Sequence, residues 1–365
     1  MIPNPLREDQ LAWLRLTLVP GISVAKQHLL IEVYESAERA LAAPRREIAA
    51  TFGEACADRL ASGPPPRWID AVSEWLEEPG NHVITIRDPE YPEALRQIAA
   101  APCVVYARGR VELLNRPAVA IVGSRNASRQ GLHDADAFAF ALSESGLTIV
   151  SGLALGIDAA AHRGGLRGRS SSIAVVGTGV DEIYPRRNRA LGQELATAGV
   201  LVSEFPLGTP PAKENFPRRN RLISGLARGV LVVEAATQSG SLITADYALE
   251  QNRDVYAIPG SIHSPLSKGC HRLIKDGAKL VESAADVLED LGLDAAGAPA
   301  ELPACNETPR DPLLRAMGYS PVSIDQLAER TGGAAGPLAA RLALLEIEGA
   351  VCALAGGLFQ RMRTH

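Results

Sequence analysis

The chain has 365 residues, 46% of them apolar and 22% charged, and its 37 Lys and Arg against 42 Asp and Glu leave a net charge of −5. This composition excludes a mostly disordered chain, because so much apolar surface can offset the entropy of ordering. It also excludes a basic field over the whole surface, so any nucleic-acid site must be a local patch.

The length predicts about two or three domains of roughly 100–200 residues. The opening MIPNPLREDQ places Arg7, Glu8 and Asp9 where a secretory leader needs an apolar core. The longest charge-free apolar stretch, near Gly146–Ile157, is well short of the ~20 residues that span a bilayer. Cys56, Cys103, Cys270, Cys305 and Cys352 stand far apart with no Cys-x-x-Cys spacing. That argues against a disulfide framework or a zinc ribbon and predicts buried thiols in a reducing cytoplasm, with no membrane insertion.

Residues 8–60 read as short helices, and LVPGISVAKQHLL (18–30) reads as a helical hairpin around Pro20-Gly21. A hairpin turn of this kind can face a phosphate, but Ser23 stands where the usual second glycine would be, which favours a structural role. The stretch Ser62-Gly63-Pro64-Pro65-Pro66 is expected to close this helical part.

Then apolar runs alternate with helical patterns. AVAIVGS (118–124), LTIVSGLA (147–154), SIAVVGTG (172–179), VLVSEF (200–205), GVLVVEA (229–235) and DVYAIPG (254–260) predict strands. Their continuous apolarity marks strands buried on both faces, as in a parallel sheet between helices. HVITIRD and PCVVYARG, within 82–116, add two strand candidates. The helices fall at Asp134–Ser145, Arg189–Ala198 and Ser241–Asn252. From about Gly292 to Pro312 no apolar period survives. Beyond it, Ser323 caps one helix, Gly336–Glu348 form a second, and a hairpin turns at Gly356-Gly357, the order of a winged helix-turn-helix.

Two glycine turns, Gly123-Ser124-Arg125 and Gly177-Thr178-Gly179, follow strands and suit phosphate. Neither completes the dinucleotide fingerprint: Glu182 holds the third glycine position after Gly177 and Gly179. The sequence has no GxxxxGK[ST] and no GxSxG, which excludes a P-loop ATPase and a nucleophile-elbow hydrolase. The densest basic cluster, KENFPRRNRLISG (213–225), sets Lys213, Arg218, Arg219 and Arg221 around Phe216 in a chain only 4% aromatic. Cations that track phosphates and a ring that stacks a base are what a single nucleic-acid strand needs. Tyr184-Pro185-Arg186-Arg187-Asn188-Arg189 repeats the combination. The turn Thr237–Ser241 offers hydroxyls and amides to an anion, with Ser241 as an ordinary helix cap the competing reading. Asp158 and His162, four apart, are expected to meet as a hydrogen-bonded pair rather than to hold a metal.

Taken in order, AIVGSRNAS (120–128), VSGLALGIDAAAHRGGL (150–166), AVVGTGVDEIYPRRN (174–188), SEFPLGTPPAKENFPRRNRLISGL (203–226), the run 230–260 and KGCHRLIKDGAKLV (268–281) strongly resemble the DNA-processing protein A (DprA/Smf) family. The resemblance implies an α/β protein with an extended Rossmann-like parallel sheet at 80–291. A SAM-like helical domain precedes it at 1–66, and a linker at 292–311 leads to a winged-helix domain at 312–365. It further implies a cytoplasmic homodimer, paired through the Rossmann domain, that protects incoming single-stranded DNA in natural transformation and helps load a RecA-type recombinase. Neither catalysis nor a cofactor is implied. The motif positions assign DNA binding to Ser124, Arg125, Lys213, Phe216, Arg218, Asn220, Arg221, Ser239 and Gly240. Phosphate contacts fall to Arg125, Lys213 and Arg221, backbone phosphate contacts to Gly240, and base stacking to Phe216. Leu155 and His271 depart from residues frequent in the family at those positions. The acidic Glu346 and Glu348 beside Arg341 point the tail toward packing or partner docking rather than DNA. The alternative is a nucleotide phosphoribohydrolase of the Lonely-guy type, but the turn Gln238–Thr244 lacks that family's glycine run and glutamate.

Overall fold

The computed structural model describes residues 6–293, 311–319, 321–354 and 356–362. Most of the expected linker, and Cys305, lie outside them. The N-terminal part is helical: α1 (Glu8–Thr17), α2 (Val24–Tyr34), α3 (Ala37–Ala42), α4 (Arg45–Phe52), α5 (Glu54–Ser62) and α6 (Pro66–Leu76). The proline stretch therefore does not end the helices. Pro66 opens α6, since a first-turn proline gives up an N–H that has no intrahelical partner anyway. Nor do these helices bury a core of their own. Trp13, Leu14, Leu16, Leu30 and Val72 pack into one cluster with Val83, Val104, Ala174 and Leu201 of the sheet. Gln10 Nε2 also donates to the Val83 carbonyl at 2.8 Å.

The sheet starts with β1 (Asn81–Thr85) and, after the short α7 (Glu93–Arg96), β2 (Val104–Gly109). Then strand and helix alternate: β3 (Ala118–Val122), α8 (Arg129–Glu144), β4 (Thr148–Ser151), α9 (Ile157–Arg167), β5 (Ser172–Val175), α10 (Arg189–Ala198), β6 (Val200–Ser203), α11 (Asn215–Leu226), β7 (Gly229–Val232), α12 (Gly240–Glu250), β8 (Asp254–Ala257), α13 (Lys268–Lys275), β9 (Lys279–Leu280) and α14 (Ala284–Asp290). The strand order is β1-β2-β6-β5-β4-β3-β7-β8-β9. From β6 to β9 all neighbours pair in parallel. β2 is antiparallel to both β1 and β6; toward β1, the four-residue α7 is too short to serve as a crossover helix. Each residue of β3 is buried. Ala118, Ala120 and Val122 face α11 and α12, whereas Val119 and Ile121 face α8 and α9. Burial on both faces is why the strand reads as a continuous apolar run.

From β3 the chain builds outward through β4, β5 and β6, then returns to lay β7 on the other side of β3. That reversal places a crevice at the carboxyl ends of β3 and β7, where open parallel sheets bind ligands. The tail has its own core around Leu327, Leu342 and Leu345. It consists of α15 (Pro312–Met317), β10 (Val322–Ser323), α16 (Ile324–Thr331), α17 (Ala335–Ile347), β11 (Val351–Leu354) and β12 (Leu358–Arg361). Ser323 caps α16 by accepting from the Gln326 N–H at 3.1 Å, as its sequence predicts. Arg341, the cation of α17, is tied to Asp311 at 2.6 Å.

Candidate nucleic-acid interface

The crevice is a cleft of about 640 Å3. One wall is the turn after β3. There the Ser124 N–H donates to the Glu234 carbonyl at 2.7 Å and its Oγ accepts from the Asn126 N–H at 3.2 Å, leaving Arg125 exposed at the lip. Gly156 permits this: with φ +79°, a Cβ there would stand 2.2 Å from the Ser124 carbonyl oxygen. The opposite wall is the start of α12. Ser239 is its cap, its Oγ 3.4 Å from the Ser241 N–H, and the first helical residue is Gly240, where a Cβ would meet open space. A helix N-terminus presents unpaired N–H groups and a positive dipole end, so this wall attracts anions.

The floor is α11. Phe216 sits in its first turn, half-buried, with its ring packed over the second glycine turn. The Tyr184 ring lies 5.8 Å away at 32°, and the Arg125 guanidinium is 5.7 Å from the Phe216 ring centre. Tyr184 is 43% exposed, so the two rings form a surface that strand bases can reach. Lys213 is exposed beside them. Asn220 Nδ2 donates to the Gly240 carbonyl at 3.3 Å and joins α11 to α12.

Beneath this surface a buried polar layer fixes the strand ends. Arg219, 4% exposed, donates to the Gly152 carbonyl at 2.8 Å and to the Val175 carbonyl. Burial pushes its guanidinium down to about 10. Burial likewise raises the Asp158 carboxyl, against the lowering effects of Arg219 and of the Ala154 and Gly152 amides. Asp158 Oδ2 accepts from the Gly152 N–H at 3.1 Å and from that of Ala154 at 3.4 Å. His162 does not pair with Asp158, contrary to the sequence expectation. Its Nε2 accepts from the Leu153 N–H at 3.2 Å, which leaves Nδ1 to donate to Ser172 Oγ at 2.7 Å. Both side chains hold the loop 152–154 rather than each other, because that loop curls back over the first turns of α9. Asn188 Nδ2 completes the grip on the Leu153 and Ala154 carbonyls at 2.9 and 3.0 Å.

Ser124, Arg125, Lys213, Phe216, Asn220, Ser239 and Gly240 thus line one cleft. Arg218 and Arg221 do not. They project from the other side of α11 to the Glu204 carboxylate, at 3.1 and 2.6 Å. Sequence reasoning named Arg219 and Tyr184 in their basic clusters but assigned neither to DNA binding, and both line the cleft. The available signal was the helical period: counted from Phe216, positions 219, 220 and 223 share its face, and 218 and 221 do not. Among the described residues lining the cleft, Asp158 is the sole acid, against Arg125, Lys213 and Arg219. The buried Cys56, Cys103, Cys270 and Cys352 are unpaired, and the described residues contain no cluster of metal-ligating side chains.

Fold and site together define a class: a doubly covered parallel-sheet protein with a winged-helix tail, whose cleft joins cations, helix-end amides and two adjoining aromatic rings. The family description DNA recombination-mediator protein A matches residues 82–292, and DprA winged helix domain matches 294–357. The chain is 42% identical over 308 residues to Protein Smf of Escherichia coli K12, covering 82% of each. It is 48% identical over 206 residues to DNA processing protein DprA of Streptococcus pneumoniae R6, covering 56% of this chain and 73% of that one. The X-ray structure of DprA from Streptococcus pneumoniae superposes with a TM-score of 0.68 at 37% identity, over 79% of this chain and 99% of that one. DNA processing protein A of Helicobacter pylori, studied for its single-stranded DNA binding mode, superposes with a TM-score of 0.53 at 29% identity, over 57% and 95%. The chain belongs to the DNA recombination-mediator protein A (DprA/Smf) family.

Proposed function

We propose that this protein binds single-stranded DNA in the cleft as a recombination mediator. On this reading it protects incoming strands in natural transformation and helps load a RecA-type recombinase, in the cytoplasm and as a homodimer through the sheet domain. The observation that carries the reading is the Phe216 ring, set between Tyr184 and Arg125 at the carboxyl edge of the sheet. Bases stack there, while Arg125, Lys213 and the amide end of α12 at Ser239 and Gly240 take phosphates, and Ser124 and Asn220 hold the walls.

The geometry disfavours the phosphoribohydrolase alternative. Glycosidic cleavage assisted by a carboxylate needs that group free to face the sugar. Asp158 is committed to two backbone amides, and Glu234 is turned away to the Ser128 N–H and hydroxyl at 2.9 and 2.5 Å. The test compares fluorescence anisotropy titrations of oligo-dT and a duplex of equal length, with a parallel assay for free base released from nucleotides. Tighter binding of the single strand and no base release are expected. Equal affinity for duplex, or turnover, overturns the reading.

A further inference from the structure

One exposed aliphatic side chain stands in the otherwise polar and aromatic surface of the cleft. Ile243 lines it and is 37% exposed, whereas the other branched aliphatics of the lining, Val122 and Ile223, are 3% and 1% exposed. Leu249, Ile262 and Leu280, the other large exposed aliphatics among the described residues of the sheet domain, lie outside the cleft. A lone exposed isoleucine on open surface needs no explanation, but inside a cleft of ligand size it offers the guest a dry wall. Ile243 follows Gly240 by three residues on α12 and so shares its face one turn further along the helix. The hydrogen bond from Asn220 Nδ2 to the Gly240 carbonyl relates this wall to the ring: Phe216 is one turn from it on α11, and Ile243 one turn from it on α12. With 5.4 Å to a turn, ring and wall stand on the order of 10 Å apart, with the start of α12 between them.

We propose that the cleft seats two successive nucleotides, the first base on the Phe216 and Tyr184 rings and the second against Ile243, and that this second seat favours thymine. This rests on the single-strand reading above. The phosphate that joins the two nucleotides falls at the start of α12, where Gly240 is exposed and a Cβ would meet open space. The two walls suit different parts of a base. An aromatic ring stacks on the flat π-face that every base presents, and so it accepts any of them. A branched aliphatic chain has neither a π-face nor a hydrogen-bonding atom. What it selects is another aliphatic group, and thymine alone among the DNA bases carries one, its C5-methyl. Withdrawing one methyl group from water against Ile243 changes affinity about 4-fold. The strand is thus held by stacking at one seat and sorted mildly by its methyl groups at the other.

The test uses the full-length protein with oligo-dT and oligo-dU of about 15 nucleotides, two strands that differ only in the C5-methyl. Wild type is expected to bind oligo-dT about 4-fold tighter than oligo-dU. Ile243→Ser should abolish that difference, and Ile243→Met, which keeps an apolar wall, should retain it. Equal affinity of wild type for the two strands overturns the proposal and needs no variant, so the test holds even where Ile243→Ser folds poorly. A preference for oligo-dT that survives intact in a folded Ile243→Ser protein also overturns it, because the preference then arises elsewhere. Phe216→Ala is the control for the reading beneath and is expected to weaken both strands alike. If it does so while wild type treats oligo-dT and oligo-dU equally, the second seat is wrong and the single-strand reading stands. If Phe216→Ala weakens neither strand, that reading fails as well.

Discussion

Gly177 and Phe216 occupy adjoining space: a Cβ at position 177 would stand 2.8 Å from Cδ1 of the Phe216 ring. The glycine turn after β5, which reads in the sequence as a phosphate loop, thus serves as the bed on which the stacking ring lies. Gly177→Ala is expected to tilt that ring while leaving the fold intact. Affinity for oligo-dT should fall several-fold, less than the loss in Phe216→Ala, which removes a base stack worth about 1–3 kcal/mol. Anisotropy titrations of the two variants, with their unfolding midpoints, check the order.

Arg221 was expected to contact a phosphate, but it is held at Glu204, 2.6 Å away and nearly sealed from water. Breaking a buried pair leaves an uncompensated charge and costs roughly 3–5 kcal/mol. Arg218 keeps a hold on the same carboxylate at 3.1 Å, so Arg221→Ala is expected at the lower end of that range. Urea unfolding should show it as a lower midpoint, whereas an arginine serving only a phosphate would leave the midpoint where it is.

Arg125 and Arg219 line one cleft and should behave oppositely. Arg125 is exposed, so Arg125→Ala should weaken oligo-dT binding and leave the unfolding midpoint within the range of ordinary surface changes, about 0.5 kcal/mol. Arg219 braces the ends of β4 and β5 through the Gly152 and Val175 carbonyls. Arg219→Met strands those carbonyls and the Asp158 carboxyl and is expected to cost several kcal/mol. Paired urea unfolding curves separate the two cases.

His162 is fully enclosed, and burial, reinforced by Arg219 and Arg163, holds its pKa near 3. An unfolded chain binds the proton near 6.5. The unfolded state therefore binds more protons below that pH, and stability falls as pH drops, by roughly 1.4 kcal/mol per unit between about 6.5 and 3. The raised carboxyls of Asp158 and Glu234 work in the other direction, stabilising the fold as pH falls toward their range. The histidine effect is cleanest between pH 6.5 and 5. Thermal unfolding should lose more stability over that interval in wild type than in His162→Gln.

The parallel sheet was legible because burial on both faces leaves an unmistakable pattern, and the runs at 118–124, 147–154, 172–179, 200–205, 229–235 and 254–260 all became strands. The antiparallel turn of β2 was not, since strand direction follows from what the connection holds. The shared core of the N-terminal helices was also hidden, because an apolar helix face does not name its partner. Within the cleft, Phe216 stood out by the scarcity of aromatics. The arginines around it did not sort themselves: composition makes Arg218, Arg219 and Arg221 equivalent. Which of them faces the cleft depends on how α11 is rotated against β4 and β5, and on a carboxylate, Glu204, supplied from the end of β6.

The central claim is that a few cations and one ring at the edge of the sheet hold a single strand. The most direct measurement is the salt dependence of oligo-dT affinity for wild type, Lys213→Ala and Phe216→Ala. Each lost phosphate contact should flatten the slope of log affinity against log salt by about 0.7. Lys213→Ala is therefore expected to flatten it by that amount, and Phe216→Ala to lower affinity at every salt concentration with the slope preserved. A slope unmoved by Lys213→Ala together with an affinity unmoved by Phe216→Ala would contradict the account.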